Sequence, residues 1–291
     1  MYLPDYNYYQ PETIPEACEI LARYGTKAKV FAGGTDLLPK MKQELLSPEA
    51  LVSLRCISGM SDIESIPGRG VVIGARVSPN ELVNSALLND RYMSVSEAAH
   101  SMANNQIRNM GSIGGNIVNA VPSADLPPIL IALGAKVVLV GREGSRTMLL
   151  EDFITGPSRT VIAPDEVLEA VIIPDQETTG SAYLKFGLRA SGALAVVGVA
   201  AAVTMEGGIV EAVRIVLGAV APIPMRAKKA EAKLRGKKVT EALLAETAQI
   251  AAAECKPISD IRASEEYRRD MVRVFTRRAL LKAMYWEETD K

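Results

Sequence analysis

The 291 residues carry 33 basic and 34 acidic side chains, a formal net charge of −1, so no excess of either sign draws the chain to nucleic acid or an anionic membrane. Hydrophobic residues make up 48% and charged residues 23%, the balance of a globular chain long enough for two cores. Three dispersed cysteines, Cys18, Cys56 and Cys255, and one histidine, His100, cannot supply the close-spaced ligands of an iron–sulfur cluster or structural zinc.

The same sparse, odd cysteine count argues against a disulfide framework and for a reducing, cytoplasmic setting. The opening residues hold an early Asp5 and no basic run ahead of an apolar stretch, so they do not read as a secretion signal. Thr13 and Glu16 have the spacing of a capping box. Ile14, Cys18, Leu21 and Tyr24 then recur at helical period up to Gly25, a C-terminal stop, with Cys18 a small core residue. Residues 29–32 read as a strand entering Gly33-Gly34, and 51–54 and 71–75 as further strands. Ser78, Pro79 and Glu81 open another helix, and 91–104 reads as one continuous helix containing His100, taken as structural.

A Gly-rich turn is expected at 111–116. Residues 136–141, 167–173 and 182–188 look like strands, and the polar stretch 174–180 is the preferred domain boundary. That gives domains 1–176, with subdomains of about 1–55 and 56–176, and 177–291. Beyond it, Glu206-Gly-Gly208 joins two apolar runs as a hairpin. The apolar stretch 193–203 is about half the ~20 residues a membrane span needs. Three helices close the chain, one after Pro224, one capped by Thr240 and one opened by Ser264 and ending near Trp286. Tyr285 and Trp286 either cap this helical unit or dock a partner. The basic clusters 226–229 and 277–278 are assigned to solvated helix faces. The whole is an α+β pattern.

Two constellations carry chemistry. Ala32-Gly33-Gly34-Thr35-Asp36 lies between a strand and a helix start, where consecutive glycines bring backbone N–H groups close to a diphosphate. Asp36 would repel a pyrophosphate, so its carboxylate is assigned to capping 37–42. Taken alone, the stretch is also a plain tight turn. The second is Gly111-Ser112-Ile113-Gly114-Gly115-Asn116, followed by Asp125, Leu126, Pro127 and Pro128. Ser112 and Asn116 offer hydrogen bonds to phosphate or ribityl oxygens, and Asp125 to sugar hydroxyls; a surface loop with a Pro-rich turn is the competing reading. Two such loops in one small domain fit a long diphosphate cofactor. Arg108 stands open between stabilising an anionic ring and binding backbone carbonyls.

These stretches, with 183–186, 217–220, 257–262 and 267–269, resemble the signatures of the FAD-binding subunits of molybdenum hydroxylases. That family includes the medium subunit of aerobic carbon monoxide dehydrogenase and the flavin part of xanthine dehydrogenase. The resemblance covers essentially the whole chain. It implies the FAD-binding fold shared with vanillyl-alcohol oxidase, two subdomains sandwiching FAD, followed by a C-terminal domain of antiparallel sheet and helices. It further implies that Lys29, Val30, Phe31, Ala32, Gly33, Gly34, Thr35, Asp36 and Leu37 wrap the pyrophosphate. Gly111, Ser112, Ile113, Gly114, Gly115 and Asn116 would continue the grip, Ala124 and Asp125 would hold the sugar portion, Leu168 and Lys185 would touch the flavin, and Met102 and Ala103 would line the cleft. Relatives often carry threonine where Ser112 stands, which keeps the hydroxyl.

His100 precedes the glycine loop rather than lying in it, so the FAD is expected to be non-covalent. No catalytic pair or metal cluster emerges, as expected where the cofactor carries the chemistry. The implied partners are a small [2Fe–2S] subunit and a large molybdopterin subunit, in a heterotrimer or its dimer. Electrons would pass from the clusters through FAD to an acceptor: NAD, quinone, ferredoxin or oxygen. A stand-alone flavin oxidoreductase of the same fold and a non-flavin scaffold remain the competing readings.

Overall fold

A computed structural model describes residues 3–176 and 178–284. The chain opens with β1 (Asn7–Tyr9), α1 (Ile14–Tyr24), β2 (Ala28–Phe31), α2 (Leu37–Lys42) and β3 (Ala50–Ser53). Both outer strands run parallel to β3 in the order β1-β3-β2, and parallel neighbours need crossovers, here α1 and α2. Thr13 caps α1 by accepting the Glu16 N–H at 3.3 Å, and Gly25 ends it at φ 55°. Cys18 is fully buried and donates to the Val140 carbonyl at 3.3 Å. Burial pushes its thiol up to about 11, so it behaves as the core residue the helical spacing predicts.

The middle of the chain forms β4 (Ile63–Ile66), β5 (Gly70–Gly74), α3 (Pro79–Asn84), α4 (Ala86–Arg91), α5 (Met93–Ser101), α6 (Asn105–Met110), α7 (Ile113–Val118) and α8 (Leu126–Ala132). It continues through β6 (Lys136–Gly141), β7 (Gly144–Leu149), α9 (Leu150–Phe153), β8 (Ile154–Gly156), β9 (Arg159–Thr160) and β10 (Val167–Ile173). An antiparallel sheet of order β4-β5-β10-β6-β7 backs the helices, and β8 pairs with β9. The reciprocal box at Ser78 and Glu81 opens α3.

Three expectations are corrected here. The helix over 91–104 breaks at Tyr92, whose buried phenol donates to the Pro174 carbonyl at 3.3 Å. It ends at Ser101, because Ala103 takes φ 39° and Asn104 caps a new helix. The stretch 111–116 is not a turn: Ser112 caps α7, and its oxygen accepts the Gly115 N–H at 3.1 Å. Pro127 and Pro128 do not make a loop either, but sit in the first turn of α8, where a missing N–H costs no helical bond.

The chain ends in β11 (Gly180–Phe186), β12 (Val197–Glu206), β13 (Ile209–Gly218), β14 (Met225–Arg226), α10 (Lys228–Leu234), α11 (Glu241–Glu254) and α12 (Glu265–Met284). The four strands form an antiparallel sheet in chain order, turning between β12 and β13 at Gly207 and Gly208, φ 57° and 82°. The residues Tyr285 and Trp286 lie outside those described. The long apolar run is explained by burial on both faces. Val197, Val199, Ala201 and Val203 pack toward the C-terminal helices, whereas Ala200 and Ala202 join the core of the preceding part. The helices α12 and α10 cover one face, with α11 packed on both of them, and α5 and α8 press on the other.

Arg226 is also corrected. It is not on a solvated face but half-buried, bonding Glu231 at 2.6 Å and Glu151 at 3.3 Å. Among the described residues no helix is long and apolar enough to cross a membrane.

Candidate functional site

The two glycine stretches meet. Gly33 lies so close to the end of α6 that an added Cβ would stand 1.7 Å from the Met110 carbonyl oxygen and 3.0 Å from the Gly111 Cα. Gly111 in turn faces Thr35, 3.7 Å from an added Cβ to Oγ1. Lys40 Nζ donates to Asn119 Oδ1 at 2.9 Å, tying α2 to the residue that closes α7. Gly34 adopts φ 70°, and a Cβ there would meet the Phe31 ring at 2.6 Å. Only glycine satisfies both positions, one by close approach and the other by backbone angle.

Within this first loop the backbone N–H groups of Gly33, Gly34, Thr35 and Asp36 bond no acceptor among the described residues. They lie between the end of β2 and the start of α2, where successive unclaimed amides make an anion-binding concavity. Lys29 and Val30 lie on β2, an edge strand, and Leu37 begins α2. The Asp36 carboxylate makes no capping bond to α2, contrary to its assignment. It is exposed instead.

The second stretch is not a matching nest. Ile113 donates its N–H to the Val77 carbonyl at 2.8 Å, Gly114 to Ala75 at 2.9 Å, and Asn116 to Ser112 at 3.0 Å. These amides are spent on seating α7. Gly114 is needed for contact with the protein, since a Cβ would lie 2.7 Å from the Ala75 oxygen. What the stretch offers is side chains. The Asn116 Oδ1 is buried with no hydrogen-bond partner among the described residues, and a buried acceptor left unmade is costly. The Ser112 hydroxyl keeps its proton free to donate after accepting from Gly115.

α6 is held in place by a polar clamp. Arg108 donates Nε to Asn80 Oδ1 at 3.1 Å and Nη1 to the Met102 carbonyl at 2.8 Å, so its carbonyl-binding reading is the one the structure shows. Asn80 also bonds Asn105 at 2.8 Å.

Asp125, at the start of α8, is 6% exposed. Tyr183 donates its hydroxyl to Oδ1 at 2.8 Å, and Lys185 its ammonium to Oδ2 at 2.9 Å and to the Ser101 carbonyl at 3.0 Å. Burial pushes the Asp125 carboxyl up, against the pull of Lys185 and Tyr183; burial also raises the Tyr183 phenol well above its ordinary value. Lys185 thus reaches Ser101, the residue before Met102, and the Ala103 carbonyl accepts the Gly192 N–H at 2.9 Å. Leu168 is 4% exposed and belongs to the core, on the strand against which α7 packs. Ala124 adjoins Asp125, half-buried. His100 is exposed.

Tyr183 and the Lys40–Asn119 bond had no role in the sequence reading. A signal for Tyr183 exists: it lies two residues before Lys185 on a strand, hence on the same face, and a buried phenol needs a partner. Among the described residues no group of three His, Cys, Asp or Glu side chains is placed to hold a metal.

A long diphosphate cofactor fits this arrangement. Unclaimed amides suit phosphate oxygens, the two stretches adjoin at Gly33 and Gly111, and the orphaned Asn116 oxygen can accept from a hydroxyl or amine. The chain matches the family described as the FAD binding domain in molybdopterin dehydrogenase over residues 4–176, and the CO dehydrogenase flavoprotein C-terminal domain over 182–283. It is 35% identical to the carbon monoxide dehydrogenase medium chain of Hydrogenophaga pseudoflava, across 95% of this chain and 96% of that one. It is 30% identical to the glyceraldehyde dehydrogenase medium chain of Sulfolobus acidocaldarius, across 96% and 98%. A solved structure of the Hydrogenophaga pseudoflava carbon monoxide dehydrogenase, lacking the Mo-pyranopterin moiety, superposes with a TM-score of 0.93 at 36% identity, covering 99% of each chain.

Proposed function

The chain belongs to the FAD-binding medium subunits of molybdenum hydroxylase-type complexes, and from that membership we propose that it binds FAD non-covalently to carry electrons between a partner's [2Fe–2S] clusters and an external acceptor. The observation that carries this is the junction at Gly33, where a strand-to-helix loop with unclaimed amides abuts the loop leading to Ser112 and Asn116. The amides of 33–36 hold the pyrophosphate, with Ser112 and Asn116 bonding the sugar or ribityl chain, and Asp125 and Lys185 lying toward the flavin. FAD supplies a two-electron store that one-electron partners can fill and empty.

The chain's own contribution is binding, orientation and charge. Its neutral overall charge and lack of a metal-ligand cluster among the described residues fit a subunit that relies on partner chains for molybdenum and iron. The reading includes a small [2Fe–2S] subunit, a large molybdopterin subunit and a cytoplasmic setting. Relatives named for carbon monoxide and for glyceraldehyde align with this chain over nearly its whole length, which supports placing substrate choice in another chain.

The test is purification of the intact complex, with flavin, iron and molybdenum quantified, followed by denaturation in acid. One FAD per copy of this chain, released into the supernatant, is expected. Flavin retained on the precipitate would refute non-covalent binding, and a chain that purifies alone and turns over a soluble substrate would replace the subunit reading with a stand-alone oxidoreductase. Gly33→Val in the same purification should yield a chain without flavin, because its side chain drives Met110 out of the junction.

A further inference from the structure

We propose that Tyr183, in the C-terminal sheet, is a positioning residue for the FAD site, fixing Asp125 and through it the Lys185 ammonium, and that Gly198 exists to make room for it. The inference rests on the flavoprotein reading above and extends it to two residues outside the FAD-binding domain.

The geometry is specific. Tyr183 and Lys185 project from β11 on the face toward α8, and each takes one oxygen of the same carboxylate, at 2.8 and 2.9 Å. The carboxylate therefore has one oxygen for each donor, and the three groups form a single buried unit spanning both halves of the chain. Across the sheet Lys185 pairs with Gly198, which in turn pairs with Gly218. An added Cβ at Gly198 would lie 2.9 Å from the Tyr183 hydroxyl oxygen, and at Gly218 2.8 Å from Pro128 Cγ in the first turn of α8. Two adjacent glycines thus flatten the sheet where α8 docks, and the phenol fills the space beside one of them. Neither glycine has a positive φ, so the requirement is for space.

Burial gives the arrangement its consequence. With Asp125 6% and Tyr183 4% exposed, water cannot replace the phenol as a donor. Removing that donor leaves Lys185 alone to satisfy the carboxylate, drawing the ammonium toward Oδ1 and away from its place near the flavin. Tyr183→Phe keeps the ring and removes only the hydroxyl; Gly198→Ala keeps the hydroxyl and displaces it. A purely structural role would cost both variants melting temperature without touching the cofactor.

The experiment uses the full chain with added FAD. FAD dissociation constants, the midpoint potential of the bound flavin and the melting temperature without FAD are measured for the unsubstituted chain, Y183F and G198A. Both variants should bind FAD about tenfold more weakly, the effect of the displaced Lys185 ammonium giving up one charged hydrogen bond to the cofactor. Both should show a lowered potential, as the cation that favours the electron-rich ring is drawn off. Unchanged affinity and potential in both, whatever happens to the melting temperature, would overturn the proposal while leaving the flavoprotein reading intact. Failure of the unsubstituted chain to bind FAD would overturn that reading and this proposal together.

Discussion

Asn116 shows how a single residue serves the bound state at the expense of the free one. Its Oδ1 is buried with no partner among the described residues, which costs the protein without cofactor about 1–3 kcal/mol relative to a satisfied acceptor. Asn116→Ala removes the orphan together with the bond it is proposed to make to FAD. The expected outcome is a melting temperature without FAD equal to or above that of the unsubstituted chain, with FAD affinity down by about tenfold, both read from thermal melts with and without added FAD. A variant that melts lower while binding FAD normally would show that the side chain serves the fold alone. Gly33 and Gly114 make a related contrast: both sit where a Cβ cannot fit, but Gly33 closes the two loops on each other and Gly114 seats α7 on Ala75.

Among the elements, α12 is anchored by a buried cation. Arg268 is 2% exposed and donates to the Val196 carbonyl at 2.8 Å, the Ala219 carbonyl at 3.2 Å and Asp260 Oδ1 at 2.8 Å. It thereby joins the helix to the start of β12, the end of β13 and the 257–262 segment. Arg268→Met leaves two carbonyls and a carboxylate short of a donor and should cost about 3–5 kcal/mol, measured by urea unfolding. The same knot predicts an acid limb. Arg262, foremost, and then Arg268 hold the Asp260 carboxyl well below its ordinary value. A depressed carboxyl contributes stability above its unfolded value of about 3.9, and that contribution is lost as pH falls below it. Urea unfolding should therefore become easier from about pH 5 downward, with a shallower dependence in Asp260→Asn. Glu166, lowered by Arg146, and Glu246, lowered by Lys233, contribute to the slope that remains.

At the scale of the whole molecule, the C-terminal sheet completes the core of the part before it. Tyr183, Ala200, Ala202 and Val216 belong to the same buried cluster as α5, α7 and α8, and Lys185 reaches across to Ser101 and Asp125. The division proposed at 176 is thus a boundary in chain order, not in the site. A chain ending at residue 176 should expose α8, bind a hydrophobic dye, sediment as aggregate and take up no FAD. Monodisperse, FAD-binding material would show that the C-terminal part is dispensable to the site.

Much of this was legible in the residues themselves, wherever local chemistry decides the outcome. The cap at Thr13, the reciprocal box at Ser78, the hairpin at Gly207 and Gly208, the period of α1 and the strand-to-helix glycine loop depend on neighbours a few positions away. Each appears where the spacing puts it, save that the Glu16 carboxylate accepts from the Glu12 N–H and so does not close a box on Thr13. The motifs around 32–39, 107–116 and 123–128 also carried the family. Tertiary packing decided the rest. Whether Gly114 faces a ligand or Ala75, whether Asp36 caps a helix, and whether Arg226 is solvated all depend on what a distant segment brings alongside. The Asp125–Tyr183–Lys185 unit joins residues 58 and 60 positions apart, and only the docking of α8 on a glycine-flattened sheet brings them within hydrogen-bonding distance.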